Sequence, residues 1–167
     1  MRSLALLVML TCSSCSDNLS EPEPAPKENV LVVDYSLPAF DGKLLGTDKG
    51  EWIGSLMRQD EVGKIHTLLN ENVHGIIQNK AGIFVFTGLS HLSINDGYIY
   101  TVTQGQDRAM ITKPLGRLPG APSQVRQLPD GSTSFLVYVS FKNDSPYYEC
   151  YSLTGKIVSR SLDCSPP

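Results

Sequence analysis

The chain has 167 residues, 41% of them hydrophobic, with 14 Lys and Arg against 17 Asp and Glu for a net charge of −3. This length is enough for one domain with a real core. The acidic balance, without a basic cluster, excludes phosphate-backbone binding as a main role, so no nucleic-acid partner is expected.

The chain opens Met1-Arg2-Ser3, runs through apolar Leu4 to Leu10, and reaches Thr11-Cys12-Ser13-Ser14-Cys15-Ser16. A charged start, a short apolar core and a small-residue end are the parts of a secretory signal, assigned to residues 1–14. The apolar run falls well short of the roughly 20 residues that span a bilayer as a helix.

This segment resembles the lipobox of bacterial lipoproteins, where small residues precede the cysteine that becomes lipid-modified. Ser13 and Ser14 put the resemblance on Cys15, with Cys12 as the alternative. An ordinary cleaved signal with two bystander cysteines is the other reading. The resemblance implies three acyl chains on the cysteine. Because Ser16 rather than aspartate follows Cys15, it also implies sorting to the outer membrane, with the domain in the periplasm. Each buried acyl CH₂ contributes about 0.8 kcal/mol, so several chains make a lasting anchor without a basic patch.

Residues 15–28 hold the lipid-attachment cysteine and the stretch SDNLSEPEPAPKE. Proline fixes φ and removes backbone donors, so an extended polyproline II spacer is expected. One large apolar residue, Leu19, cannot offset the entropy of ordering.

Residues 29–167 are expected to form a single all-β domain. Short β-rich runs recur at Val30–Tyr35, Trp52–Met57, Lys64–Leu69, Ile83–Thr87, Tyr98–Thr103, Phe135–Ser140, Tyr147–Ser152 and Lys156–Ser161. Turn pairs such as Asp41-Gly42, Asp96-Gly97, Asp130-Gly131 and Gly155-Lys156 punctuate them. The segment from Met57 to Leu69 leaves room for one helical turn. A faint repeat is also present. At a constant offset of 49, Ile76-Ile77-Gln78 aligns with Val125-Arg126-Gln127, Gly82 with Gly131, and Tyr98-Ile99-Tyr100 with Tyr147-Tyr148-Glu149.

Four short strands per unit of about 40–50 residues resemble a β-propeller blade. The expectation is a propeller-like stack of about three four-stranded antiparallel units, with residues 30–69 supplying the last three strands of the first unit. Propellers usually need at least four blades. The resemblance therefore implies either an open stack or an oligomer that completes it. A β-sandwich or small barrel satisfies the same pattern.

With Cys12 lost and Cys15 lipidated, Cys150 and Cys164 remain, and an even pair in an exported chain predicts a disulfide. A hairpin turning at Thr154-Gly155 would put Cys150 opposite Ser159, so the chain must then fold back to bring in Cys164.

No catalytic constellation is evident. Gly88-Leu89-Ser90-His91-Leu92 begins like a nucleophile elbow but ends in Leu and lacks a following helix. Ser90 and His91 read as inter-strand loop residues. His66, His74 and His91 show no zinc spacing. Asp48, Glu51 and Asp96 sit with other carboxylates at expected turns, where Asp bonds its own backbone. Asn95-Asp96-Gly97 and Asn143-Asp144-Ser145 sit at corresponding repeat positions without the oxygen density of a calcium loop. No cofactor or metal is expected. Tyr98, Tyr100, Tyr147 and Tyr148, with Tyr138 and Tyr151, gather on or near third strands. They are either ordinary cross-strand packing or a binding face.

These readings together predict a non-catalytic binding or assembly module at the outer membrane, held by its lipid and taking a protein partner. An inhibitor or immunity protein against a toxin or cell-wall-degrading enzyme, and a hydrolase with an unrecognised site, are the alternatives.

Overall fold

The computed structural model describes residues 31–162 and 164. The expected signal, Cys12, Cys15 and the expected tether lie outside the described residues. Within them the protein is all-β and has no helix. Three four-stranded antiparallel sheets follow one another along the chain. The first holds β1 (Tyr35–Pro38), β2 (Gly42–Lys49), β3 (Trp52–Asp60) and β4 (Ile65–Leu69). The second holds β5 (Val73–Asn79), β6 (Gly82–His91), β7 (Ile94–Gln104) and β8 (Met110–Leu118). The third holds β9 (Pro122–Gln127), β10 (Thr133–Lys142), β11 (Ser145–Thr154) and β12 (Ile157–Arg160).

Each sheet is a meander with its strands in chain order. The sheets stack through their leading strands, β5 packing against β1 and β2 on one side and β9 on the other. This is the expected propeller-like stack, with three complete units. The first and third sheets form no packed interface with each other among the described residues.

The central sheet explains the apolar run at 83–87. Successive strand residues point to opposite faces, and β6 is covered on both. Ile83 and Val85 join Leu44, Leu56, Val73 and Val102 in one core between the first two sheets. Phe84 and Phe86 join Ile99, Phe135, Val137 and Leu153 in a second core between the last two. Fully burying each such side chain contributes about 1.5–3 kcal/mol. Two glycines set the spacing of the layers. A Cβ on Gly46 would sit 2.6 Å from the Val73 side chain, and one on Gly75 would sit 2.8 Å from Val125.

Several expectations are corrected. The expected strand at Val30–Tyr35 begins instead at Tyr35, and Leu31 to Val33 lie outside regular structure. The first unit has four strands, because β2 is a full strand despite its polar Thr47, Asp48 and Lys49. Thr47 is buried there, and its hydroxyl accepts the Ser55 amide at 2.8 Å. No helical turn interrupts Met57 to Leu69, where β3 and β4 run. β8 and β9 gave little apolar pattern because both are edge strands, where a proline such as Pro114 or Pro122 costs no ladder bond.

The repeat also needs a gap. Ile76 and Val125 lie on equivalent leading strands at the offset of 49, but β6 starts at Gly82 and β10 at Thr133, and β7 at Ile94 and β11 at Ser145, both 51 apart. The loop from Leu128 to Ser132 is longer than the Lys80-Ala81 turn it replaces. Tyr98 and Tyr100 therefore correspond to Glu149 and Tyr151, not to Tyr147 and Glu149.

Cys150 and Cys164 are disulfide-bonded, with Cα atoms 5.5 Å apart. The last hairpin turns at Gly155-Lys156, with Thr154 paired to Ile157. That moves the residue opposite Cys150 from Ser159 to Ser161, whose amide donates to the Cys150 carbonyl at 2.8 Å. The remaining fold-back is short. It brings Cys164 over β10, where the Ser134 hydroxyl lies 3.6 Å from its sulfur.

Candidate functional site

The three hairpins β2–β3, β6–β7 and β10–β11 turn at one end of the stack, at Gly50-Glu51, Leu92-Ser93 and Asn143-Asp144. Both inter-sheet connections, 70–72 and 119–121, reach the same end. An open cleft of about 790 Å³ lies there, lined from all three sheets by residues that include Asp48, His74, His91, Tyr138 and Tyr148.

Two asparagines hold this end together. Buried Asn72 accepts the amides of Lys49 at 3.0 Å and Gly54 at 2.6 Å through Oδ1, and donates to the Gly50 carbonyl at 2.5 Å. It thus ties the first connection to the tip of β2–β3. Asn95, at the start of β7, donates to the carbonyls of Tyr138 at 3.1 Å and Val139 at 3.2 Å, and accepts the Ala121 amide at 3.1 Å. It thus ties the second sheet to the third. Corresponding backbone bonds run from Gly88 to Asn72 and from Tyr138 to Ala121. Asn95-Asp96-Gly97 is therefore strand, and its expected counterpart Asn143-Asp144 is the turn.

His74 lies on β5. Its Nδ1 is 3.2 Å from Asp48 Oδ2 and its Nε2 is 3.0 Å from the Gly88 carbonyl oxygen. With both nitrogens engaged, the ring is a strut between sheets. Ser90 and His91 end strand β6 instead of lying in a loop, and His91 Nε2 stands 3.4 Å from Glu51 Oε2 across the cleft. Among the described residues, no serine hydroxyl is hydrogen-bonded to either ring. Nor does any group of three or more His, Cys, Asp or Glu side chains among them converge as a metal would require.

The four candidate tyrosines divide. Tyr148 lines the cleft and meets Tyr138 edge-on at 5.6 Å. Tyr147, its neighbour on β11, points to the opposite face, with the Lys142 ammonium 5.4 Å from its ring centre. Tyr98 and Tyr100 share the face of β7 turned to the first sheet, their rings 6.1 Å apart. Tyr100 packs against the first core and donates its hydroxyl to Glu71 Oε1 at 2.7 Å. Burial foremost, then the Glu71 carboxylate, hold that phenol protonated well above its ordinary range.

What the sequence reading missed is an apolar rim. Trp52 (71% exposed) and Ile53 stand beside the first hairpin turn, Leu92 (94% exposed) and Ile94 at the second, and Phe141 (68% exposed) and Tyr148 beside the third. Large apolar residues within or next to a turn were the available signal, since turns are otherwise polar. Leu92 also holds a positive φ of 52°, at the turn position occupied by Gly50 and Asn143 in the other two hairpins.

No protein-family model, curated protein or solved structure matches this chain.

Proposed function

We propose that this protein is a lipid-anchored, non-catalytic protein-binding module of the outer membrane, and that the hairpin end of the stack is its binding face. The observation that carries this reading is the gathering of exposed Leu92, Ile94, Phe141 and Tyr148, from the second and third hairpins, on one open cleft that the first hairpin turn reaches at Gly50. Contiguous exposed apolar surface rimmed by polar groups is the mark of an interaction site. Aromatic anchors around a depression are what hot spots use. The anchor rests on the lipobox resemblance at Cys15, and the proline-rich stretch after it supplies reach.

The test uses full-length protein in its native envelope. Leu92→Ser and Phe141→Ser change exposed side chains, so the fold is retained. In vivo crosslinking followed by purification should recover a defined partner with the parent chain, and at least tenfold less with the double variant. Equal recovery with both would sink the reading. If the partner is an enzyme silenced on binding, the module is an inhibitor. For the anchor, Cys15→Ser should abolish acyl labelling; loss of labelling only on Cys12→Ser would move the lipid to Cys12.

One arrangement favours a second reading. Ser90 and His91 both line the cleft and His91 lies 3.4 Å from Glu51, so the residue types of a hydrolytic site meet there without a Ser90–His91 hydrogen bond. Turnover of a peptidoglycan or ester substrate, abolished by Ser90→Ala, would replace the binding module with a hydrolase.

A further inference from the structure

A second, smaller pocket of about 210 Å³ opens between the first and second sheets beside the cleft. Its apolar walls are Ile53, Leu89, Ile94 and the ring of Tyr98, and its polar lining includes the carboxylates of Glu71 and Asp96. Asp96 is already engaged by the Arg117 guanidinium. Glu71 is not paired in this way. Its Oε1 accepts the Tyr100 hydroxyl at 2.7 Å and its Oε2 accepts the Thr87 hydroxyl at 2.5 Å. Among the described residues no cation forms an ion pair with it. Each oxygen keeps a second acceptor position.

A half-buried carboxylate fixed by two hydroxyls, without a cation and walled by aliphatic side chains, has a definite complement. A long side chain with an apolar stem and a cationic tip buries the stem and pairs the tip. The volume suits one such side chain and is below the roughly 300 Å³ that whole small-molecule ligands take. The shared residues Asn72, Gly88, Leu89 and Ile94 make the pocket continuous with the larger cleft. We propose that this pocket is a socket for a lysine or arginine side chain projecting from the partner protein, a reading that rests on the binding face above. The apolar rim then supplies contact area, and Glu71 supplies the charge selection.

Binding is read as heat by isothermal titration calorimetry: full-length protein in detergent is titrated with the capped pentapeptide Ala-Ala-Lys-Ala-Ala, with its Arg and norleucine counterparts, and with butylammonium. The Lys and Arg peptides should bind saturably and the norleucine peptide at least tenfold more weakly. Glu71→Gln should lose at least tenfold for the Lys peptide and leave the norleucine peptide unchanged. Because Glu71→Gln also touches Tyr100, Ile53→Lys is the companion variant. It places a cation at an exposed position beside the socket, should keep the native circular dichroism, and should block the Lys peptide. Equal binding of the norleucine and Lys peptides overturns the proposal, as does full affinity in natively folded Glu71→Gln, or no saturable change with either cationic peptide. Equal affinity for butylammonium and the Lys peptide transfers the socket to free amines and overturns the partner assignment. Any of these failures, with the Leu92 and Phe141 variants still losing the partner, removes the socket and leaves the binding face standing.

Discussion

Leu92 shows how a single residue can separate stability from function. Its φ of 52° lies in the left-handed region, and its side chain is almost wholly exposed. For a residue with a Cβ that conformation costs roughly 1–2 kcal/mol, and no burial offsets it. The hairpin turn requires that conformation but not a leucine, and strain kept by an exposed apolar side chain points to function. Leu92→Gly should therefore raise the unfolding free energy by up to about 1 kcal/mol in denaturant titration, while weakening partner recovery. A loss of stability on that change would place Leu92 in the packing instead.

Ionisable residues set the pH limits of the fold. The His66 ring beside Asp60, with the backbone amides of Lys64 and Val62, holds that carboxyl below its ordinary value of 3.8. The Ser132 hydroxyl and amide do the same for Asp130. Folded pKa values below the unfolded ones mean that the folded state binds fewer protons. These contributions are complete above about 4 and are lost as pH falls through the folded values. At the other end Tyr100 is raised, so its contribution is present below its ordinary 10.0 and fades as pH climbs beyond it. The denaturation midpoint should fall at both extremes. Asp60→Asn should flatten the acid limb and Tyr100→Phe the alkaline limb; unchanged limbs would remove these groups from the account.

At the scale of the element, stacking depends on close approach as much as on apolar content. Gly75 on β5 leaves room for Val125 on β9, and a Cβ there would enter that side chain. Overpacking of this kind typically costs about 1–3 kcal/mol. Gly75→Ala should destabilise by that amount, and adding Val125→Ala should recover part of it, giving a coupling of about 0.5 kcal/mol or more in a double-mutant cycle. Strict additivity would mean that the two strands are not in contact. The same scale explains which strands a sequence hides. β6, covered on both faces, reads as a continuous apolar run. The edge strands β8 and β9 carry prolines and polar residues, and their pattern is correspondingly faint.

Across the whole molecule, a stack of repeats must end its outer faces. On the first sheet, Leu31 and Val33 line a shallow depression with Leu45 and Ile65, on the face turned away from the second sheet. On the third, the fold-back to Cys164 lies over β10. Terminal units of repeat proteins need such coverings. The disulfide closes a sequence separation of 14, for which the chain-entropy model gives about 3 kcal/mol. Reduction should lower the unfolding free energy by up to that amount while far-UV circular dichroism keeps its β signature. If reduction collapses the sheets, the tail holds more of the fold than its contacts indicate.

The all-β class, the number of units and the cysteine pair could all be read from sequence. They depend on local rules: alternation, turn residues, and the pairing of the two cysteines that lie beyond the expected signal and lipid site. The proposed binding face could not be read this way. Tyr147 and Tyr148 are neighbours in the chain, yet the pleat sends them to opposite faces, and an error of two residues in the repeat offset sets Tyr98 against Tyr147 and Tyr100 against Glu149. Register sets a side chain's face, and a slip of one residue reverses it. The sequence also cannot show that His74 meets Asp48, that Glu71 meets Tyr100, or that Leu92 and Phe141 flank one cleft. Those contacts form between sheets, across long separations, and only the stacking of the three units decides them.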